Sequence, residues 1–200
     1  MNVAIIILAA GKSSRMGVAK QAIEINGKSL IKTVIDTSLE TSCYPITVVV
    51  GANKASFVTE LEQAPITIIN NPNWEKGMGA SIKMGLAGAY MVEKNFEAVI
   101  FLTVDMPYVD KEIINKLIEA AKTTSATIVA CRYGDSGGIP ALFKREVLSD
   151  LLELDDAQGA KNILLKHKES TKWIDFPNGN IDLDTPTDLR KYLASQTNFN

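Results

Sequence analysis

The stretch Val3-Ala4-Ile5-Ile6-Ile7-Leu8-Ala9-Ala10-Gly11-Lys12-Ser13-Ser14-Arg15-Met16-Gly17, with Lys20 just beyond it, decides how the rest of the chain is read. Its opening run, Val3 to Leu8, is uncharged and rich in β-branched residues, the pattern of a short strand covered on both faces. A glycine-flanked loop carrying Lys12 and Arg15 follows at once. Backbone N–H groups and fixed positive charges converge in such a loop, which suits it to gripping a polyphosphate. Two better-known phosphate loops fail on spacing. The form GxxxxGK[ST] needs a glycine five residues before Gly11, where Ile6 stands; GxGxxG from Gly11 needs glycines where the chain has Ser13 and Met16.

Outward from that segment, strand-like runs recur at Ile46–Val50, Ile66–Ile69, Ala98–Leu102 and Thr127–Ala130. Helical patterns lie between them: Leu30, Ile31, Val34, Ile35 and Leu39 share one face, as do Ile113, Ile114, Leu117, Ile118 and Ala121. Asp110 is placed to cap the second helix, and Thr185 to cap a helix over Pro186–Ala194 with proline at its first position. Alternating βαβα order implies an α/β domain with a parallel sheet. The 200 residues, 46% hydrophobic, suffice for one core, so a single domain is expected over 1–194 with 195–200 as a fraying tail.

A net charge of −2 argues against a general nucleic-acid or anionic-membrane binder. No apolar stretch approaches the roughly 20 residues that span a bilayer, and the run from Val3 to Ala10 reads as a strand, not a signal core, because Met1-Asn2 carries no basic side chain. Cys43 and Cys131 lack metal or redox spacing and suit a reducing compartment as buried small residues. A cytoplasmic protein is expected.

Ligands of an open α/β sheet collect at the carboxyl ends of its strands, and the unusual residues of this chain collect after its strand-like runs. Asp105 ends one such run, and Pro107 turns the chain out of the sheet. Its carboxylate is a candidate metal ligand or an ordinary turn cap. Asp182 and Asp184, on one face of an extended segment, offer a second oxygen ligand, with Asp184 preferred and Asp182 the alternative. Mg²⁺ with nucleotide phosphates is the expected cation. Lys12, Arg15 and Lys20 are placed to balance phosphate charge at a reacting phosphorus. Ser13 and Ser14 are hydrogen-bonders, with no nucleophile elbow around them. His167, the sole histidine, sits in a polar helical context and is expected to be exposed, which argues against histidine or zinc chemistry. Phosphoryl-type transfer needs no histidine base, because a phosphate monoester is already anionic near neutral pH.

The segment Asn71 to Ser81 leads into an apolar helix with Ile82, Leu86, Ala89 and Tyr90 expected inward. Gly77 and Gly79 permit close backbone approach there, and Ser81 offers a hydroxyl near a helix start. Trp74 is a packing anchor on the plainer reading. Asp135 to Pro140 is too glycine-rich to be strand and is expected to admit an acceptor close to the backbone.

Taken together, these segments resemble the molybdenum cofactor cytidylyltransferase branch of the MobA-like nucleotidyltransferases. The first loop with Lys20 fits LAAGxSxRMGxxK, and Asn71 through Gly85 fits NPxWxxGMxxSxxxG. Asp105-Met106-Pro107, the glycine segment ending at Pro140, Asp155 to Lys161 and Ile181 to Pro186 follow in family order. The resemblance covers nearly the whole chain. It implies a Rossmann-like three-layer sandwich of the nucleotide-diphospho-sugar transferase type, with a mostly parallel sheet. It further implies that Ala9, Ala10 and Gly11 border the nucleobase and that Leu8, Lys12, Ser13, Arg15, Lys20, Gly77, Ser81 and Asp105 meet the nucleotide. Asp105 and Asp184 would hold Mg²⁺, and Gly138, Ile139 and Pro140 would face the acceptor. The implied reaction joins CMP from CTP to the phosphate of molybdopterin cofactor, with a molybdenum hydroxylase apoenzyme as a transient partner. Leu-Ala-Ala-Gly resembles the cytidine-selecting form, while the guanylyltransferase branch looks like LAGG. Many such cytidylyltransferases have Gly-His-Pro where this chain has Gly138-Ile139-Pro140. The competing readings are a nucleotidyltransferase using GTP or another phosphate acceptor, and a non-catalytic escort of the cofactor to a xanthine dehydrogenase-type enzyme.

Overall fold

In the computed structural model, which describes residues 1–134 and 136–197, nine strands and seven α-helices follow one another in α/β order. The chain runs β1 (Val3–Ala9), β2 (Glu24–Ile25), β3 (Lys28–Ser29), α1 (Leu30–Leu39), β4 (Ile46–Val50), α2 (Val58–Leu61), β5 (Thr67–Asn70) and α3 (Met78–Val92). It continues through β6 (Ala98–Thr103), α4 (Lys111–Thr123), β7 (Ile128–Tyr133), β8 (Ser136–Lys144), α5 (Leu148–Leu152), α6 (Ala160–Lys166), β9 (Thr171–Asp175) and α7 (Pro186–Thr197). Seven strands form one sheet in the order β5-β4-β1-β6-β8-β7-β9, while β2 and β3 make a separate hairpin.

Alternation along β1 explains the three layers. Val3, Ile5, Ile7 and Ala9 face a core shared with Ile31 and Ile35 of α1 and with Ile114 and Leu117 of α4. Ala4, Ile6 and Leu8 face the opposite core, with Ile82 and Leu86 of α3, Leu151 of α5 and Ile163 of α6. A strand buried on both faces must be apolar throughout, which is why β1 shows no polar alternation. Asp110 caps α4 by accepting from the Ile113 amide at 2.9 Å. At the start of α7 the Thr185 hydroxyl accepts from the Asp188 amide at 3.2 Å, and Asp188 accepts from the Thr185 amide at 2.9 Å, a reciprocal capping box.

Four expectations are corrected. Ser136–Lys144 is a strand, antiparallel to both β6 and β7, within a sheet that is mostly parallel as the resemblance implied. Its glycines and proline are tolerated because the pairing slips: Ala130 faces Ala141 but Cys131 faces Gly138, leaving Ile139 and Pro140 in a bulge where no ladder donor is required. Asp135 lies outside the described residues. Tyr90 is exposed, not inward, because it lies beyond the apolar stripe that Ile82, Leu86 and Ala89 present to the sheet. His167 is only 23% exposed and is bound to Asp150, which the amphipathic pattern of its own segment does not reveal. The last helix continues to Thr197, past the expected Ala194; 198–200 lie outside the described residues. Cys43 and Cys131 are free and buried, and burial pushes the Cys131 thiol up to about 12. Among the described residues no helix is long and apolar enough to cross a membrane.

Candidate active site

Sheet order places the site. From β1 the chain moves outward to β4 and β5, then returns to the other side of β1 at β6. The carboxyl ends of β1 and β6 therefore flank a switch point, where an open sheet leaves a crevice. A cavity of about 370 Å³ opens there, lined by Gly11, Lys12, Arg15, Lys20, Asp105 and Asp184 among others. Leu8, Ala10, Ser13, Gly77 and Ser81 also reach it, as do Ser14, Gln21, Trp74, Glu75 and Thr103, which sequence reasoning did not assign to it. Ala9 does not line it; its side chain belongs to the core beneath.

The loop after β1 has its polarity sorted. Five consecutive carbonyls are engaged. Gln21 Nε2 donates to the carbonyls of Ala9 (2.7 Å) and Gly11 (3.1 Å), and the Ala52 amide donates to that of Ala10 (3.0 Å). Asn53 Nδ2 donates to Lys12 O (2.9 Å), and the Met16 amide to Ser13 O (3.0 Å). No such backbone bond occupies the amides of Gly11, Lys12, Ser13 or Ser14 among the described residues. A loop with its acceptors tied and its donors left over is electropositive before any side chain is counted. Gln21, 1% exposed, is the main organiser. A lone amide next to Lys20 carries no pattern of its own, so no sequence signal marks it.

Opposite the loop, Lys20 Nζ donates to Asp105 Oδ2 at 2.9 Å and Asp184 Oδ1 at 2.7 Å, and the Arg15 guanidinium meets Asp184 Oδ2 at 2.8 Å. Burial by itself would lower the Lys20 pKa, but Asp105 and Asp184 together more than offset it and hold the ammonium above its ordinary value. Asp182 makes no such bond. Burial, then the neighbouring charges of Asp105 and Asp184, push its carboxyl up to about 6. The segment is held by Leu183, whose amide donates to Asp105 O (2.8 Å) and whose buried side chain joins Met16 and Leu30 in a small satellite core.

Two carboxylates that converge on one ammonium are also disposed to converge on one hard cation. Among the described residues no cluster of three or more His, Cys, Asp or Glu could hold a metal. Asp105 and Asp184 would offer two carboxylates to a hard cation such as Mg²⁺, which takes few protein oxygens and completes its shell with phosphate and water.

The start of α3 forms the far wall. Asn71, fully buried, donates to Ser81 Oγ at 3.0 Å and so holds the first turn of the helix. Gly77 and Gly79 do allow close approach, but to the protein itself: a side chain at either would collide with the carbonyl of Asp156 or Asp155. The Gly79 amide bonds Asp156 O at 2.9 Å, and Lys83 pairs with the Asp156 carboxylate at 2.5 Å. Beyond Asp105 a second cavity is lined by Tyr133, Gly138, Ile139 and Asp182; Pro140 is buried and does not line it.

Residues 5–171 match the family model of the MobA-like NTP transferase domain. The chain belongs to that family. It is therefore a member of a nucleotidyltransferase family, with the mostly parallel, single-domain α/β fold described above. It is 29% identical over 196 residues to the molybdenum cofactor guanylyltransferase of Vibrio atlanticus (strain LGP32), covering 96% of this chain and 95% of that protein. A homologue of Rv0371c from Mycobacterium sp. strain JC1 matches with TM-score 0.80 and 25% identity over 99% of this chain and 98% of that one. Rv0371C of Mycobacterium tuberculosis H37Rv, solved as a complex with manganese, matches with TM-score 0.77 and 21% identity over 98% and 100%, a likeness of fold.

Proposed function

We propose that this member of the family is a Mg²⁺-dependent nucleotidyltransferase that joins CMP from CTP to the terminal phosphate of molybdopterin cofactor and releases pyrophosphate. The observation that carries it is the convergence of Lys20, Asp105 and Asp184 beneath a loop whose amides are left as donors. An acceptor phosphate oxygen attacks the α-phosphorus as the bond from that phosphorus to the bridging oxygen breaks, and pyrophosphate leaves with the electron pair. The loop amides with Lys12 and Arg15 bind the triphosphate and orient the α-phosphorus. Lys20 moves from its carboxylates to the phosphates and offsets charge on the leaving group. Asp105 and Asp184 would hold the cation, which supplies charge neutralisation across the phosphates. The attacking phosphate needs no base, in keeping with His167 lying on Asp150 away from the site.

Ala10 supports cytidine. It is among the residues at the cavity and stands where the guanylyltransferase branch looks like Leu-Ala-Gly-Gly, so the resemblance of this loop favours the pyrimidine. GTP is the second reading, favoured by the name of the Vibrio atlanticus relative, whose acceptor also supports molybdenum cofactor here. The test is ³¹P-monitored turnover with Mg²⁺, molybdopterin cofactor, and CTP and GTP in competition. Pyrophosphate from CTP with a cytosine dinucleotide product is expected. Preference for GTP overturns the cytidine assignment, and no product from either nucleotide overturns the acceptor.

A further inference from the structure

The segment Asp155 to Lys161 takes no part in the transfer as described above, yet it is joined to the start of α3 by more than packing. The Gly79 amide donates to Asp156 O at 2.9 Å. One turn further along the helix, Lys83 Nζ donates to Leu154 O at 3.0 Å and pairs with the Asp156 carboxylate at 2.5 Å. Bare backbone at Gly77 and Gly79 lets the carbonyls of Asp156 and Asp155 come this close. The segment also closes on itself: the Gln158 amide donates to Asp155 O at 2.9 Å, and Gln158 Oε1 accepts from the Asp155 amide at 3.3 Å. A closed turn bonded at Leu154 and at Asp156 is carried by the helix that holds it.

That helix start and that turn serve different cavities. Gly77, Met78 and Ser81 line the first, whereas Gly159, Ala160 and Lys161 line the second. Met78 lines both, and its sulfur lies 3.1 Å from where a side chain at Gly159 would begin. Lys83 itself lines neither cavity. Its hydrogen bond to Asp156 holds that carboxyl below its ordinary value, so the pair stays ionised at neutral pH. The two side chains are 32% and 35% exposed, and a pair so accessible adds little to global stability. What it supplies is register between two walls.

We infer that Lys83 is a positioning residue: with Asp156 it clips the segment 154–161 to the first turn of α3, so that a nucleotide seated in the first cavity orders the wall of the second. Binding that rigidifies the first turn of the helix also rigidifies what is bonded to it. The coupling rests on the nucleotide binding proposed above.

The test is hydrogen exchange at the amides of Gly79 and of 154–161, with and without Mg²⁺–CTP or Mg²⁺–GTP, in the wild-type protein, Lys83→Met, Asp156→Asn and Lys83→Arg. Turnover with molybdopterin cofactor is measured on the same proteins. Nucleotide is expected to slow exchange across 154–161 about tenfold in the wild type. That protection should disappear in Lys83→Met and Asp156→Asn and return in Lys83→Arg, which keeps the charge and the donors. Turnover in the first two should fall about tenfold in kcat while KM for the nucleotide stays within about twofold, a split that a merely structural lysine would not give. Asp156→Asn removes the same ion pair from the loop side, so it reads the clip even if Lys83→Met disturbs folding. Exchange indifferent to nucleotide in the wild type, or protection retained in both Lys83→Met and Asp156→Asn, overturns the inference. Protection that depends on Lys83 without dinucleotide product from the wild type leaves the clip standing and removes the proposed reaction; wild-type turnover with kcat unaltered in both variants does the reverse.

Discussion

The loop after β1 and the wall formed by β7, β8 and β9 both border the same crevice, yet they are built by opposite means. In the loop, backbone groups supply the surface: five carbonyls are tied back and the amides are left over. In the wall, side chains supply the surface, because Tyr133 and Trp173 occupy the space that two glycines vacate. A backbone-built surface recognises what all nucleoside triphosphates share, whereas a side-chain surface can be tailored to one acceptor. On the function proposed above, phosphate recognition would fall to the first half of the chain and acceptor selection to the second.

The largest effect expected lies where the two regions meet. Asp105→Asn removes one of the two carboxylates on Lys20 and should cost about a thousandfold in turnover, several kcal/mol of barrier, measured by pyrophosphate release at saturating Mg²⁺. Asp182→Asn should cost far less, because Asp182 takes no share of Lys20 or Arg15. Equal losses in the two variants would move the second ligand position from Asp184 to Asp182.

Leu183→Ala cuts the anchor that joins the halves. Truncating a fully buried leucine costs about 3 kcal/mol, or roughly 6 to 12 °C in Tm for a domain of this size, read by thermal and urea unfolding. A loss under about 1 kcal/mol would mean that the Asp184 segment is held by the Thr185 cap alone.

Gln21→Leu addresses the loop by itself. It leaves the carbonyls of Ala9 and Gly11 without their donor, which should destabilise the protein by about 2 kcal/mol and weaken nucleotide binding while sparing pterin binding. Calorimetric titration with both ligands checks this; equal weakening of the two would dissolve the division between loop and wall.

The smallest effect is a distant control. Hydrogen bonds from His167, then Lys166, hold the Asp150 carboxyl below its ordinary value. Its contribution to stability is therefore complete above the ordinary carboxylate pKa, about 3.9, and is lost as pH falls through the lower folded value. His167→Ala should move the midpoint of acid unfolding slightly upward and leave turnover at pH 7 unchanged. A fall in turnover would tie this half-buried network to the site after all.

Much of this was legible from residues close in sequence. Val3 to Leu8 could only be a strand buried on both faces, the cationic glycine loop had to follow it, and Asp110 and Thr185 announced their helices through local capping. Glycine content misread β8 because the bulge that excuses Pro140 is created by its partner β7, not by its own residues. Likewise, only the tertiary structure brought Lys20 to Asp105, 85 positions away, and to Asp184, 164 away; it also paired Lys20 with Asp184 rather than Asp182 and filled the space at Gly137 and Gly138. Strand periodicity and caps depend on neighbours a few residues off, so the sequence states them directly. Ion pairs and ring contacts depend on strand order and register, which are set by burial across the whole sheet.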